Sequence, residues 1–409
     1  MSKAKLKQRK LSLYGHFGAN NFGNESTLQA MLYHVRRLMP DAEVTCICTA
    51  PEAVTRDYEI AAVPISAVVF KSPISRNSLA KLARRIFIGV PSELYRWLKN
   101  ITMLRDTDAL IIVGTGLLTD AYGLMNWGPY SIFKWSVSAK SRGCKLLFVS
   151  VGAGPIHSRV GKWLATTSLA LADFRSYRDN ETKEYLSSIG VAVARDKVYP
   201  DLAFSIAEEA APKCKSSDRR SIVGLGLMLY NNKLSSNESN EPISAEYLEQ
   251  LVVFVRWLLA RDYDIRLLIG DHADKSVIDE FKTLLRNRLG TYDEARVMDD
   301  PISSVETLLT QLAETDVVVA TRFHNVLWAL ALNKPVISIS FHQKCTSLMR
   351  DMGLQSYCQD IHKLSAAKLI EQFCQLEKNA GSLKQMIREK VIERRTALNE
   401  QYNLIFNDL

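Results

Sequence analysis

The stretch VVVATRFHNVLWALALNKPVISISF, residues Val317–Phe341, decides the fold. Val317–Ala320 is an apolar run with no polar alternation, the pattern of a strand covered on both faces. Thr321 and Arg322 interrupt it. From His324 to Leu332 the apolar residues fit a short buried helix, which Asn333-Lys334-Pro335 ends. Pro335–Ser340 then reads as a second buried strand. Strand, helix and strand in that order make a parallel crossover, the unit of layered α/β folds. Arg322, His324 and Lys334 interrupt the run too often for a bilayer span.

The same alternation extends in both directions. On the C-terminal half, strands are expected at Ile222–Gly226 and Ile265–Ile269, with helices at Ala245–Ala260, Lys275–Leu289 and Val305–Ala313. On the N-terminal half, strands are expected at Leu11–Gly15, Ala42–Cys48, Ala109–Val113 and Lys145–Val151. Helices are expected there at Glu25–Leu38, Val160–Leu171 and Glu181–Ile189. A polar helix, Leu383–Asn403, closes the chain. With 409 residues, the chain exceeds one core and divides into two Rossmann-like domains. The expected boundaries are 1–207, a linker at 208–221 rich in Ala, Pro, Lys and Ser, 222–380, and a C-terminal helix at 381–409. Tyr230–Pro242 is an Asn/Ser-rich excursion. In such folds ligands bind at the carboxyl ends of the strands, and with two halves the natural place is a cleft between them.

The candidate site residues fall at those strand ends. Gly15–Glu25 joins the first strand to the first helix. Its three glycines, with Asn20, Asn21 and Asn24, allow close backbone approach to an anion or sugar. Glu25 adds a carboxylate. Gly114-Thr-Gly116 and Gly152-Ala-Gly154-Pro155 each follow an apolar strand without completing a dinucleotide fingerprint, and no Walker loop occurs. Asp120 and Tyr122 lie just beyond the first of these. Arg178 stands before a helix, where its planar fork suits a carboxylate or phosphate, or a salt bridge to Asp179. Asp201 offers a carboxylate. Arg322 and His324 share one strand-to-helix junction, an anion clamp beside a group that exchanges protons near neutrality. Lys344 follows the next strand.

Composition narrows the function classes. Hydrophobic residues are 47% and charged residues 23%, the balance of a globular chain. The basic N-terminus is followed by no apolar signal region, so a cytoplasmic protein is expected. Seven cysteines include no C-x-x-C pair and read as core thiols, with no metal site. Net charge is +8, and Phe70–Arg105 holds eight basic residues against Glu93 alone. That segment reads as basic amphipathic helix suited to an anionic membrane surface, or as a solvated face. Aromatic interleaving is too sparse for nucleic acid.

Taken together, Gly15–Glu25, Gly114–Asp120, Val151–Pro155, Ser176–Asp179, Pro200–Phe204 and Thr321–Lys344 make the chain resemble the polysaccharide pyruvyl transferase family. The resemblance implies a fold like the two-Rossmann (GT-B-like) glycosyltransferases. It implies phosphoenolpyruvate as donor, no cofactor, and a pyruvate ketal formed on a sugar of a cell-surface polysaccharide or its precursor, with the acceptor's carrier (nucleotide, lipid or polymer) left open. It carries Arg178, Arg322 and His324 over as family positions. The chain departs at Gly23-Asn24-Glu25, where the family often has Gly-Asp-Glu, so an aspartate proposed to assist catalysis in some relatives is missing. His324 is then the expected acid/base and Glu25 its helper. A nucleotide-sugar glycosyltransferase or epimerase is the rival on the same architecture, although Glu306 and Glu314 form no clear ribose motif. A non-catalytic glycan- or anion-binding protein is the third possibility.

Overall fold

The computed structural model describes residues 8–19, 21–66, 88–114, 116–120, 128–206, 219–229 and 243–409. Asn20, Tyr122, most of the expected linker, the Tyr230–Pro242 excursion and the 70–87 part of the basic segment lie outside them. By internal contacts the chain divides into two units. One comprises Met1–Ala19, Thr27–Leu202 and Leu398–Leu409, the other Asn20–Ser26 and Ala203–Ala397.

The first unit is built on β1 (Lys10–Tyr14), β2 (Glu43–Cys48), β3 (Ala61–Pro64), β4 (Ala109–Val113), β5 (Lys145–Val151), β6 (Phe174–Tyr177) and β7 (Lys197–Val198). These pair in the order β3-β2-β1-β4-β5-β6-β7, every pair parallel. The order reverses between β1 and β4, the switch point where doubly wound sheets open a crevice. All of β4 is buried and all but the first residue of β5, which is why both read as unbroken apolar runs.

The second unit repeats the plan with β8 (Ile222–Gly226), β9 (Asp264–Leu268), β10 (Val297–Met298), β11 (Val317–Ala320), β12 (Val336–Ser340) and β13 (Cys358–Asp360). Their order is β10-β9-β8-β11-β12-β13, again all parallel, with the switch point between β8 and β11. The expected strand–helix–strand is β11, the helix Phe323–Ala331 and β12.

Three departures from the sequence expectation have physical causes. The first helix, α1, runs Phe22–Leu38 rather than from Glu25, because the Asn21 side chain accepts the Asn24 N–H at 3.2 Å and caps it. The last four residues of the Gly/Asn loop, Phe22–Glu25, are therefore the first helical turn. The helix Pro129–Ser141, not expected at all, buries Ser131, Ser136, Ser138 and Lys134; polar residues on the inner face erase the apolar period. Ser138 returns its hydroxyl to the Lys134 carbonyl, 2.8 Å. The C-terminal helix is longer than expected, Ala380–Asn407, and its last part, from Leu398, belongs to the first unit.

That last part supports an irregularity in β5. Register with β6 shifts between Phe148 and Val151, and Ser150 takes a left-handed φ of 47°, a bulge next to the strand end. The Ser150 amide donates to Ser176 Oγ at 2.8 Å and its hydroxyl to Gln401 Oε1 at 3.0 Å. Gln401 Nε2 donates to Ser176 Oγ at 2.6 Å. All three side chains are buried.

Candidate active site

In the second unit the carboxyl ends of β8, β9 and β11 gather a compact polar cluster. Arg322 follows β11 and Asp274 lies in the turn after β9. Arg322 donates through Nε (2.9 Å) and Nη2 (2.6 Å) to the two Asp274 oxygens. Asp274 is fully buried and also accepts the backbone N–H groups of Leu229, Gly270 and Asp271 at 2.9, 3.3 and 3.1 Å. A buried carboxylate held by this many donors fixes the guanidinium plane. Of the five guanidinium N–H groups, the pair engages two; the Nη1 edge points the other way in the planar fork.

The helix Phe323–Ala331 starts beside that guanidinium, with no side-chain cap from Arg322. Its N-terminus brings partial positive charge to the strand end. Asn325, in its first turn, is fully buried, yet neither its amide nitrogen nor its amide oxygen has a hydrogen-bond partner. Leaving a buried amide without partners costs roughly 1–3 kcal/mol in a protein interior.

His324 is half-buried, its ring 5.4 Å from that of Trp328 and edge-on to Phe323 at 5.1 Å. The first turn of α1 runs against it. A Cβ at Gly23 would stand 2.1 Å from the ring's Cε1 and Nδ1, so only glycine admits this approach. Glu25 belongs to the same turn. Asn21 uses its amide to reach Asp271, Nδ2 to Oδ2 2.8 Å. Phe22 packs on His272, 5.3 Å between rings. Lys344, after β12, lies over the faces of Phe323 and Phe341 at 5.3 and 5.4 Å. The structure thus brings together Asn21, Gly23, Glu25, Arg322, His324 and Lys344 in one unit.

The first unit holds Arg178, Gly116, Gly154 and Asp201. Arg178 follows β6 and lies across the backbone of Gly152, where a Cβ would come within 2.7 Å of its Nε and Cζ. Gly116 is close to Nη2. Arg178 Nε donates to Asp179 at 3.2 Å, and Nη1 is 3.8 Å from the buried Asp201. Asp179 also caps the helix Asn180–Ser188, accepting the Thr182 N–H at 2.7 Å. The salt bridge and the ligand-facing reading of Arg178 are therefore compatible: two carboxylates orient it at the edge where the loops after β4, β5 and β6 meet. Gly154 has a φ of 105° and packs on Tyr185. Asp120 accepts the amides of His157 and Ser158, both 2.9 Å, a loop-fastening role.

Asp271, Asp274 and Asn325 were not reached from sequence. Gly270-Asp-His-Ala-Asp274 directly after an apolar run was the available signal for the first two. For Asn325 there was none, since its burial without partners is a property of the packing. Among the described residues no group of three His, Cys, Asp or Glu could hold a metal ion, and no helix is long and apolar enough to cross a membrane.

Two parallel sheets of Rossmann order and a C-terminal helix make this a protein of the GT-B type. Two solved structures agree. The UDP-GlcNAc 2-epimerase of Neisseria meningitidis superposes with a TM-score of 0.58 at 12% identity, covering 97% of this chain and 100% of that one. A glycosyltransferase of Rickettsia africae gives a TM-score of 0.59 at 12% identity, covering 98% and 99%. The chain belongs to the polysaccharide pyruvyl transferase family, whose model matches residues 21–343. It is also 20% identical to the amylovoran biosynthesis protein AmsJ of Erwinia amylovora, over 96% of this chain and 97% of that one. It is accordingly a transferase acting on polysaccharide.

Proposed function

We propose that the protein moves the pyruvate unit of phosphoenolpyruvate onto two hydroxyls of a glycan, forming a ketal and releasing phosphate. The observation that carries this reading is the Arg322–Asp274 pair beside His324 and the unpartnered Asn325 amide, at one helix N-terminus, in a chain of this family. The donor bears a carboxylate and a phosphate. The Arg322 Nη1 edge, the helix N-terminus and the Asn325 amide supply donors for one of them. In the same unit Lys344 is a further cationic contact and Asn21 a further polar one; in the first unit, taken by itself, Arg178 with Gly116, Gly154 and Asp201 is the proposed substrate contact at that unit's own strand ends.

In the proposed reaction a proton is delivered to C3 of the enol, making C2 an oxocarbenium-like electrophile. One sugar hydroxyl attacks C2, the C2–O bond to phosphate breaks, and a second hydroxyl closes the ketal. Two hydroxyl protons are released; one balances the new methyl group and the other leaves with phosphate. His324 is the acid/base in this scheme and Glu25 its helper. That role predicts a loss of about 10²-fold or more in turnover for His324→Asn with an unchanged melting curve; normal turnover would move the role to Glu25. The scheme requires no cofactor, and it suits a cytoplasmic enzyme whose acceptor is nucleotide-, lipid- or polymer-linked.

The test is release of inorganic phosphate from phosphoenolpyruvate in the presence of candidate glycans, with NMR detection of the ketal methyl group. Glycan-dependent phosphate release with a new methyl resonance supports the proposal. Turnover of a UDP-sugar without consumption of phosphoenolpyruvate would reject it in favour of glycosyl transfer or epimerisation. Glycan binding without consumption of either donor would leave a binding protein.

A further inference from the structure

Helices Val90–Met103, Pro129–Ser141 and Arg159–Ala170 pack side by side in the first unit, the middle one against β4 and β5. The first of them is inside out. It buries Ser92 and Asn100 and exposes Val90, Leu94 and Leu98, at 63, 61 and 55%. Spacing by four puts these three on one stripe, and Tyr95 flanks it. On the third helix Val160 and Trp163 are equally exposed, at 55 and 59%. Trp97, Phe133 and Trp163 form an aromatic row across all three helices, with rings 6.2 and 5.5 Å apart. The exposed residues therefore belong to one continuous apolar face, of a kind that soluble monomers seldom leave bare.

The charge on these helices is mostly of one sign. They carry Arg96, Lys99, Lys134, Lys140, Arg159 and Lys162 against Glu93 alone; Lys134 is buried and Lys140 pairs with Asp173 at 2.9 Å, so Lys99, Arg159 and Lys162 are the basic groups the docking argument uses. Glu93 is already engaged by Lys134 and Arg96, both at 2.9 Å, and by Tyr130 at 2.8 Å. In sequence, residues 67–87 just before add Lys71, Arg76, Lys81, Arg84 and Arg85 and no acidic residue.

We infer that this face docks on an anionic lipid surface, its apolar stripe entering the headgroup–acyl boundary and its lysines and arginines meeting the headgroups. Chemistry favours this occupant over others. A second copy of the chain would set basic face against basic face. Nucleic acid matches the charge, but Val90, Leu94 and Leu98 give bases no stacking surface. An apolar stripe rimmed by basic residues, with an exposed tryptophan, is the pattern of interfacial helices. The inference concerns a surface of the first unit that includes none of the residues placed in the proposed reaction, and it stands whether or not that reaction is correct.

The experiment is co-sedimentation of the full-length protein with vesicles of phosphatidylcholine alone or mixed with phosphatidylglycerol, at low and physiological salt. Binding is expected to the mixed vesicles, at least tenfold weaker to phosphatidylcholine alone, and to weaken with salt. Leu94→Glu with Leu98→Glu, and separately Arg159→Glu with Lys162→Glu, should each weaken it about tenfold or more. These sites are at the surface, and unchanged thermal melts will exclude misfolding. Brominated lipids should quench the wild-type fluorescence, and Trp163→Phe should lose most of that quenching. Equal recovery with both vesicle types would overturn the inference, as would undiminished binding by the Leu94/Leu98 variant. A concentration-dependent dimer abolished by that variant would assign the face to a second copy instead.

Discussion

Arg322 has two tasks, and variants can separate them. Its bidentate bond to a buried Asp274 is structural, whereas its remaining edge is the proposed donor contact. Arg322→Ala leaves Asp274 with backbone donors only, so a loss of about 3 kcal/mol is expected in denaturant melts. Arg322→Lys keeps the charge but loses the fork. It should recover part of the stability while phosphoenolpyruvate affinity, read by calorimetry, stays about tenfold or more down. Asn325 should behave in the opposite sense. If its amide serves a ligand, Asn325→Leu removes two unsatisfied buried atoms and the melting temperature should rise or hold, while donor affinity falls. A variant that melts lower and binds normally would make the amide a packing feature only.

Elements show what sequence could and could not reveal. The β11–helix–β12 unit was legible because its strands are apolar on both faces and Pro335 marks the helix end. The positions of Arg322 and His324 at its junction followed directly. Asp274 was not legible, because its importance arises from a residue 48 positions away. The β5 bulge was equally hidden: Lys145–Val151 reads as a regular strand, and only Ser176 and Gln401 explain the left-handed Ser150. Gln401→Leu is expected to cost about 1–3 kcal/mol, since it deprives the buried Ser150 hydroxyl of its acceptor. A denaturant melt checks this; an unchanged midpoint would mean that the bulge holds without the glutamine.

At the scale of the molecule, each unit is a parallel sheet whose stability depends on distant segments. In the first unit His34 of α1 stacks on Tyr402, 3.7 Å between rings and 15° apart. Burial, with Arg37 nearby, holds the His34 pKa down to about 4. The unfolded chain takes up that proton at about 6.5 and the folded one does not. Stability from this group is therefore full above about pH 6.5 and declines as pH falls toward 4, by roughly 2–3 kcal/mol. His34→Phe should flatten that limb of the stability–pH curve, measured by urea melts from pH 7 to 4; an identical slope would place the acid sensitivity elsewhere. The closing helix has a further consequence, in time rather than in space. Ser150 and its partner Gln401 lie 251 residues apart, and Leu398, Gln401, Tyr402, Ile405 and Phe406 are buried in the unit whose first strand leaves the ribosome earliest. At about 5–20 residues per second, that sheet waits on the order of 10–50 s for its last strip of core. During that interval a nascent chain is exposed to chaperones and proteases with its oldest domain still unfinished.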